Sequence, residues 1–351
     1  MTAALLVQMA LAAVIAGLVV LTATPAVRKL AFAAGVVKYP RDRDVHTTPT
    51  PSWGGIAIVL GLLAAFVGLR LFGPSAVFTP APGSHTPESL LGITPRPVLG
   101  ILLGGLLIAG IGIADDRLDL SPKWQVLGLV VPGLVAALMG ARIVGVSNPL
   151  PGLIHVGPYL ALGWLSIPLT VVWVFVATKT FDFLDGLDGL ASGVGAIAAT
   201  TMGLIACRQG EPVVALLAAA TAGASLGFLR WNFQPASIFM GSVGSYVLGY
   251  LLSMLAVVGT LKVPAAVSVF LPLMVLGVPV FDGLYVTGRR LARGQRPTVA
   301  DKTHIHHRLT QRGLSVRQAV WTIYGLTAGA CLCALVLAWA WQGAEIRPLD
   351  L

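Results

Sequence analysis

Three groups of residues in this sequence are of types that could handle a phosphate. The first is Asp115-Asp116-Arg117-Leu118-Asp119, which directly follows an apolar run and leads into Pro122-Lys123. Adjacent carboxylates repel each other, so they suit a place where Mg²⁺ joins them or where one acts as a base beside a phosphate. A solvated loop with Arg117 as counter-ion accounts for them equally well. The second group is Phe181-Asp182-Phe183-Leu184-Asp185-Gly186-Leu187-Asp188-Gly189-Leu190, with an acid at every third position. On a helix, that spacing sets Asp182, Asp185 and Asp188 along one side, where a hard cation and waters would neutralise them. Gly186 and Gly189 allow close backbone approach to a ligand, or mark a simple turn, and the twelve-residue calcium-loop pattern is absent. The third group carries Arg289, Arg290, Arg293, Arg296, Asp301 and Lys302 ahead of His304-Ile305-His306-His307-Arg308. Guanidinium groups grip phosphate bidentately, and imidazoles donate to phosphate or bind metal. The plainer alternative is membrane orientation for the arginines and an isolated metal site for the histidines. Asp282 interrupts an apolar run and suits either a polar cleft or a salt bridge within a helix bundle.

The elements that must position these groups are membrane spans. Of 351 residues, 56% are hydrophobic and 11% charged, with a mean hydropathy of +0.86, a balance that polar surface could not cover in water. Cys207, Cys331 and Cys333 lie in or beside apolar runs without metal-ligand spacing, so neither a disulfide framework nor a zinc site is indicated. The net charge of +9 fits orientation in a bilayer and contact with anionic lipid better than nucleic acid, which is not expected as a partner. Apolar runs of spanning length begin near Ala3, Gly54, Val98, Trp124, Trp164, Leu190, Val213, Tyr246, Val267 and Ala319. The expected fold is therefore an all-α integral membrane protein of about ten helices, one multi-pass domain over residues 1–351. The first run reads as an anchor and not as a cleaved signal.

Loops of one parity hold seventeen of the twenty-three Lys and Arg residues, from Arg28 to Arg317, which places them in the cytoplasm and both termini outside. All three phosphate-handling groups share that cytoplasmic side, where a cleft is expected. The opposite side receives 73–97 and 142–163. Asn148-Pro149 and Pro151-Gly152 in the latter suggest a small outer β-hairpin.

In this order, the motifs resemble the polyprenyl-phosphate N-acetylhexosamine-1-phosphate transferase family. They are Arg43-Asp44-Val45-His46, Pro49-Thr50-Pro51-Ser52-Trp53-Gly54-Gly55, Asp115-Asp116, Leu184-Asp185-Gly186-Leu187-Asp188-Gly189-Leu190-Ala191, Phe239-Met240-Gly241 with Gly244-Ser245, and His304-Ile305-His306-His307-Arg308-Leu309. The His-x-His-His form is closer to the GlcNAc-1-phosphate branch than to the MurNAc-pentapeptide branch. The resemblance implies transfer of N-acetylhexosamine-1-phosphate from a UDP-N-acetylhexosamine to polyprenyl phosphate, with release of UMP, at the cytoplasmic face of a bacterial inner membrane. It further implies Mg²⁺, with Mn²⁺ able to stand in, and a homodimer is compatible with it.

Carried onto this chain, Asp115 would position or deprotonate the lipid phosphate with Asp116 in support. Asp182 and Asp185 would hold metal. Asp188, His304, His306, His307, Arg308 and His46 would bind substrate. The family usually has Asn at position 182 and Asp at 242, where this chain has Asp182 and Ser242, so Asp182 is expected to supply the carboxylate missing at 242. Lys38 stands where the family commonly has Asp. Three other classes compete: a family member that binds or assembles without catalysing, a membrane transporter, and a CDP-alcohol phosphotransferase, whose longer Asp-Gly-x-x-Ala-Arg signature is absent from the sequence.

Overall fold

The computed structural model describes residues 3–40, 48–72, 96–147, 159–259, 273–294 and 304–345. His46 and the residues around Val267 lie outside them. The chain forms α1 (Ala3–Ala33), β1 (Val37–Lys38), β2 (Thr50–Pro51), α2 (Gly54–Phe72), α3 (Arg96–Leu118), α4 (Pro122–Leu138), β3 (Gly145–Ser147), β4 (Tyr159–Ala161), α5 (Ser166–Leu184), α6 (Leu190–Gln209), α7 (Pro212–Asn232), α8 (Gly241–Gly259), α9 (Gly277–Ala292), α10 (Ile305–Gln311) and α11 (Val316–Glu345). Eight of these elements are helices long and apolar enough to cross a bilayer, and α4, at 17 residues, sits at the short limit. The all-α membrane architecture is as expected, and the expected hairpin is the antiparallel pair β3–β4, with Val146 opposite Leu160.

Lipid solvates the outside of such a bundle, so its helices associate through close packing and not through apolar burial. The crossing of α1 and α7 shows how. A Cβ on Gly223 would lie 2.0 Å from the Ala13 carbonyl oxygen, and one on Gly227 would lie 2.4 Å from that of Gly17. Small residues four apart on both helices thus bring the backbones into contact. At the polar end, α2 meets α8 in the same way, with a Gly55 Cβ only 2.1 Å from the Gly244 nitrogen. Helices α6 and α8 form the enclosed centre, whereas α1, α4 and α11 turn residues such as Val14, Leu127 and Leu332 outward.

Alternation of the helices brings the connecting residues 34–40, 48–53, 119–121, 185–189, 233–240, 293–294, 304 and 312–315 to one end. Ser52 N donates to Val36 O within the connection between α1 and α2, and three backbone hydrogen bonds fasten the 50–55 stretch to the 233–240 segment: Phe239 N donates to Pro51 O, Gly54 N to Phe239 O and Gly55 N to Met240 O. The hairpin β3–β4 lies at the opposite end of α4 and α5.

A candidate active site at the gathered loop ends

Helix α3 ends in the aspartate pair. Asp115 is buried, with Oδ2 accepting from the Tyr246 hydroxyl at 2.9 Å and Oδ1 from the Gln125 amide at 3.0 Å. Asp116 turns to the start of α8. Its Oδ1 accepts from Ser242 N at 2.9 Å and its Oδ2 from Val243 N at 3.4 Å, so a carboxylate meets amides a helix N-terminus leaves unpaired. Gly241, at φ +71°, makes room for it, since a Cβ there would lie 2.3 Å from Asp116 Oδ2. Asp119 is exposed.

The second group departs from the one-sided helical arrangement. Helix α5 stops at Leu184, Asp185 caps it, and Gly189 at φ +80° begins the approach to α6. Asp182 stays on the last helical turn, where Oδ1 accepts from Ser245 Oγ at 2.7 Å and Oδ2 pairs with Lys179 Nζ at 2.9 Å. Asp188 Oδ2 accepts from Ala236 N at 2.9 Å. Asn232 Oδ1 accepts from Gly189 N and Ser192 Oγ while its amide donates to Ile238 O, so this buried residue ties the 185–189 turn to the 233–240 loop. Asp185 is partly covered, and its carboxyl is set deep enough that desolvation raises its pKa to about 7. Lys38 opposes that rise, whereas Asp182, Asp116 and Asp188 reinforce it.

The third group docks against the second. Asp282 on α9 holds the start of α10: Oδ2 is 2.8 Å from His304 Nδ1 and Oδ1 accepts from Ile305 N at 2.7 Å. Gly283 packs on Thr180 of α5, which brings His304 to 5.4 Å from the Phe183 ring. The His304 and His306 rings lie parallel within 8°, and His307 is 4.3 Å from His306. His306 is buried against Gly186, where a Cβ would lie 2.4 Å from its Nε2. Burial, with His307 and His304 alongside, lowers its pKa to about 3 against the pull of Asp282, so at neutral pH it is an uncharged imidazole. Its Nδ1 has no hydrogen-bond partner among the described residues. Arg308 is exposed, its guanidinium 5.8 Å from the Tyr285 ring.

Asp115, Asp116, Asp182, Asp185, Asp188, His304, His306, His307 and Arg308 therefore share one end of the bundle. Sequence reasoning missed Gln125, Lys179, Tyr246 and Asn232. Lys179 stands three residues before Asp182, an ion-pair spacing on a helix, whereas Asn232 has no local signal. Among the described residues, no three His, Cys, Asp or Glu side chains are grouped as metal ligands. The chemistry of this end nevertheless suits a hard cation: the Asp182, Asp116 and Asp188 carboxylates act on Asp185, carboxylate oxygens are the ligands Mg²⁺ prefers, and among the described residues Lys38 is the cation whose charge opposes them there.

A family model described as glycosyl transferase family 4 matches residues 98–260. Over 336 residues the chain is 34% identical to the "probable undecaprenyl-phosphate N-acetylglucosaminyl 1-phosphate transferase" of Bacillus subtilis, covering 95% of this chain and 86% of that protein. It is 35% identical over 337 residues to the decaprenyl-phosphate N-acetylglucosaminephosphotransferase of Mycobacterium leprae, covering 90% and 80%. Against the undecaprenyl-phosphate alpha-N-acetylglucosaminyl 1-phosphate transferase of Yersinia pestis it is 27% identical over 316 residues, covering 88% and 78%.

Proposed function

The chain belongs to glycosyl transferase family 4, among its polyprenyl-phosphate N-acetylglucosamine-1-phosphate transferases, and from that premise we propose that it moves GlcNAc-1-phosphate from UDP-GlcNAc to a polyprenyl phosphate, releasing UMP. The observation that carries this reading is the convergence of the 115–116, 185–188 and 304–308 segments at one end of the spans, linked through the Asp116–Ser242, Asp188–Ala236 and Gly186–His306 contacts. By the Lys and Arg distribution that end faces the cytoplasm of a bacterial inner membrane. An isoprenoid tail stays in lipid while its phosphate reaches this edge, and the nucleotide sugar arrives from water.

The nucleophile is a phosphate oxygen of the acceptor. It attacks the phosphorus that carries the sugar, and the bond to the bridging oxygen of UMP breaks. Anion must approach anion, so the work of the site is charge neutralisation and alignment. Asp115, whose oxygens each keep a lone pair beyond the bonds from Tyr246 and Gln125, would orient the acceptor phosphate or take its proton. Asp116 would hold the start of α8 against it. His304, oriented by Asp282, and neutral His306 would bind the donor diphosphate with His307 and Arg308. Asp188 would bound the nucleotide side, and His46 would join the substrate contacts. Asp185, with Asp182 as second carboxylate, would hold Mg²⁺ or Mn²⁺, which when bound screens the diphosphate charge.

Purified protein in lipid nanodiscs, given UDP-GlcNAc, undecaprenyl phosphate and Mg²⁺, should release UMP and form an organic-extractable diphospho-sugar. Asp115→Asn should lower that turnover at least 100-fold without changing membrane insertion. Absence of UMP release with every UDP-N-acetylhexosamine tried would overturn the transferase reading, and wild-type turnover in the variant would remove Asp115 from the mechanism.

A further inference from the structure

Asp115 and Asp182 stand on different helices, yet side-chain hydrogen bonds join them into one circuit that closes through the backbone between Ser245 and Tyr246. Asp115 Oδ1 accepts from Gln125 Nε2 at 3.0 Å, and Gln125 Oε1 accepts from Lys179 Nζ at 3.1 Å. Lys179 pairs with Asp182 Oδ2 at 2.9 Å, and Asp182 Oδ1 accepts from Ser245 Oγ at 2.7 Å. The next residue, Tyr246, donates back to Asp115 Oδ2 at 2.9 Å. The circuit thus ties α3, α4, α5 and α8 together at the end of the bundle that carries Asp185.

Each link has one workable sense. The Gln125 amide nitrogen also donates to Leu120 O at 3.2 Å, so exchanging its nitrogen and oxygen would set an NH₂ group against an ammonium and an oxygen against a carboxylate and a carbonyl. The ammonium lies 5.2 Å from the Phe183 ring centre and 5.5 Å from that of Tyr246, where cation–π attraction holds it. Among the described residues no other cation is hydrogen-bonded into the circuit, in which Lys179 stands against two carboxylates.

We propose that Lys179 and Gln125 are positioning residues for transfer: together they act as one strut that fixes the Asp115 carboxylate toward the acceptor phosphate. The inference rests on the transferase reading. Taking out Gln125 leaves Asp115 with the Tyr246 hydroxyl and free to rotate about its χ2, and taking out Lys179 strips the Gln125 amide that orients Asp115 of its anchor on α5, so the amide and the carboxylate it holds can turn together. A carboxylate displaced by about an ångström costs roughly a hundredfold in rate while leaving substrate contacts elsewhere intact.

Lys179→Met and Gln125→Leu should each lower kcat roughly a hundredfold, with KM for UDP-GlcNAc and for undecaprenyl phosphate within about twofold of wild type. Lys179→Arg, whose guanidinium reaches both Asp182 and Gln125, should recover most of the loss. The double variant should fall no further than the worse single one, because the two residues serve one link. A shift confined to KM, additive losses, or no rescue by arginine would overturn the proposal. A second readout needs no turnover: labelling of Asp115 by a carbodiimide, followed by peptide mass spectrometry, should rise severalfold in both variants. Unchanged labelling would refute the strut whether or not the wild type transfers sugar, whereas missing wild-type transfer with raised labelling would refute only the transferase reading.

Discussion

Replacing Asp185 by Asn should stabilise the metal-free protein at high pH and cease to do so in acid. The carboxyl carries a pKa of about 7 in the fold against 3.8 for the unperturbed group, mainly because burial disfavours its charged form. That difference of about 3 units, at about 1.4 kcal/mol each, gives a ceiling near 4 kcal/mol, and the residue's partial exposure reduces it to roughly half. The sign follows from proton binding. Between pH 7 and 3.8 the folded state holds the proton and the unfolded chain has released it, so acidification through this window stabilises the wild type. Above pH 7 both states are ionised and the full penalty stands. The variant has no such group, so its advantage should be greatest near pH 8 and fade toward pH 4. His306 acts in the opposite sense: with its pKa lowered to about 3, it favours unfolding as pH falls below 6.5. It is present in both proteins and cancels in their difference. The assay is thermal melting in detergent, in EDTA, from pH 8.5 to 4.5. Addition of Mg²⁺ at pH 8 should raise the wild-type melting temperature more than that of the variant. A difference between the two proteins that does not change with pH would refute the assignment of a buried, proton-binding carboxyl.

Three further outcomes follow from the contacts. Asp282→Asn keeps an acceptor for Ile305 N but presents an NH₂ group to His304 Nδ1, reversing the imidazole tautomer; turnover should drop roughly ten- to a hundredfold with an unchanged melting temperature, and unchanged turnover would show that the tautomer is immaterial. Gly186→Ala puts a methyl group 2.4 Å from His306 Nε2, so the imidazole must move; KM for the UDP-sugar should rise while the fold, followed by size-exclusion chromatography, is retained. Gly223→Val drives α1 from α7 against a backbone oxygen only 2.0 Å away; loss of about 2 kcal/mol or more is expected in denaturant titration, whereas Gly329→Val, with open space around it, should be neutral.

The spans were legible because apolar runs of about twenty residues admit few other readings in lipid. The shared end of the three clusters was legible too, through alternation of helices and the placement of Lys and Arg. What spacing could not yield was the partner of each acid. A three-residue repeat predicts a one-sided array only if the helix continues, and here it stops at Leu184 because the segment must turn at Gly186 and Gly189 to meet α6. Asp282, an ambiguous single acid in the sequence, proves to be the anchor of His304, a contact between residues 22 positions apart that no local pattern encodes. His46 falls outside the described residues.

The contacts also bear on the expectation that Asp182 makes up for the acid replaced by Ser242. Proximity favours it, since Asp182 bonds Ser245 one turn along the helix that Ser242 begins. Charge does not, because Lys179 already neutralises Asp182, and a cation arriving there must displace an ammonium. Among the described residues, Asp185 has no such competitor in hydrogen-bond contact: Lys38 acts on it as a charge, and Asp116 and Asp188 add to its negative surroundings. The carboxylates therefore divide their tasks by what already holds them. Asp116 is committed to the start of α8, Asp188 bonds the 233–240 loop, and Asp115 and Asp182 belong to one circuit, which leaves Asp185 as the acid best placed to exchange a proton for a divalent ion. Stronger Mg²⁺ or Mn²⁺ binding in Lys179→Met than in the wild type, measured by titration calorimetry, is the expected consequence, and equal affinities would mean that Asp182 takes no part in holding the ion.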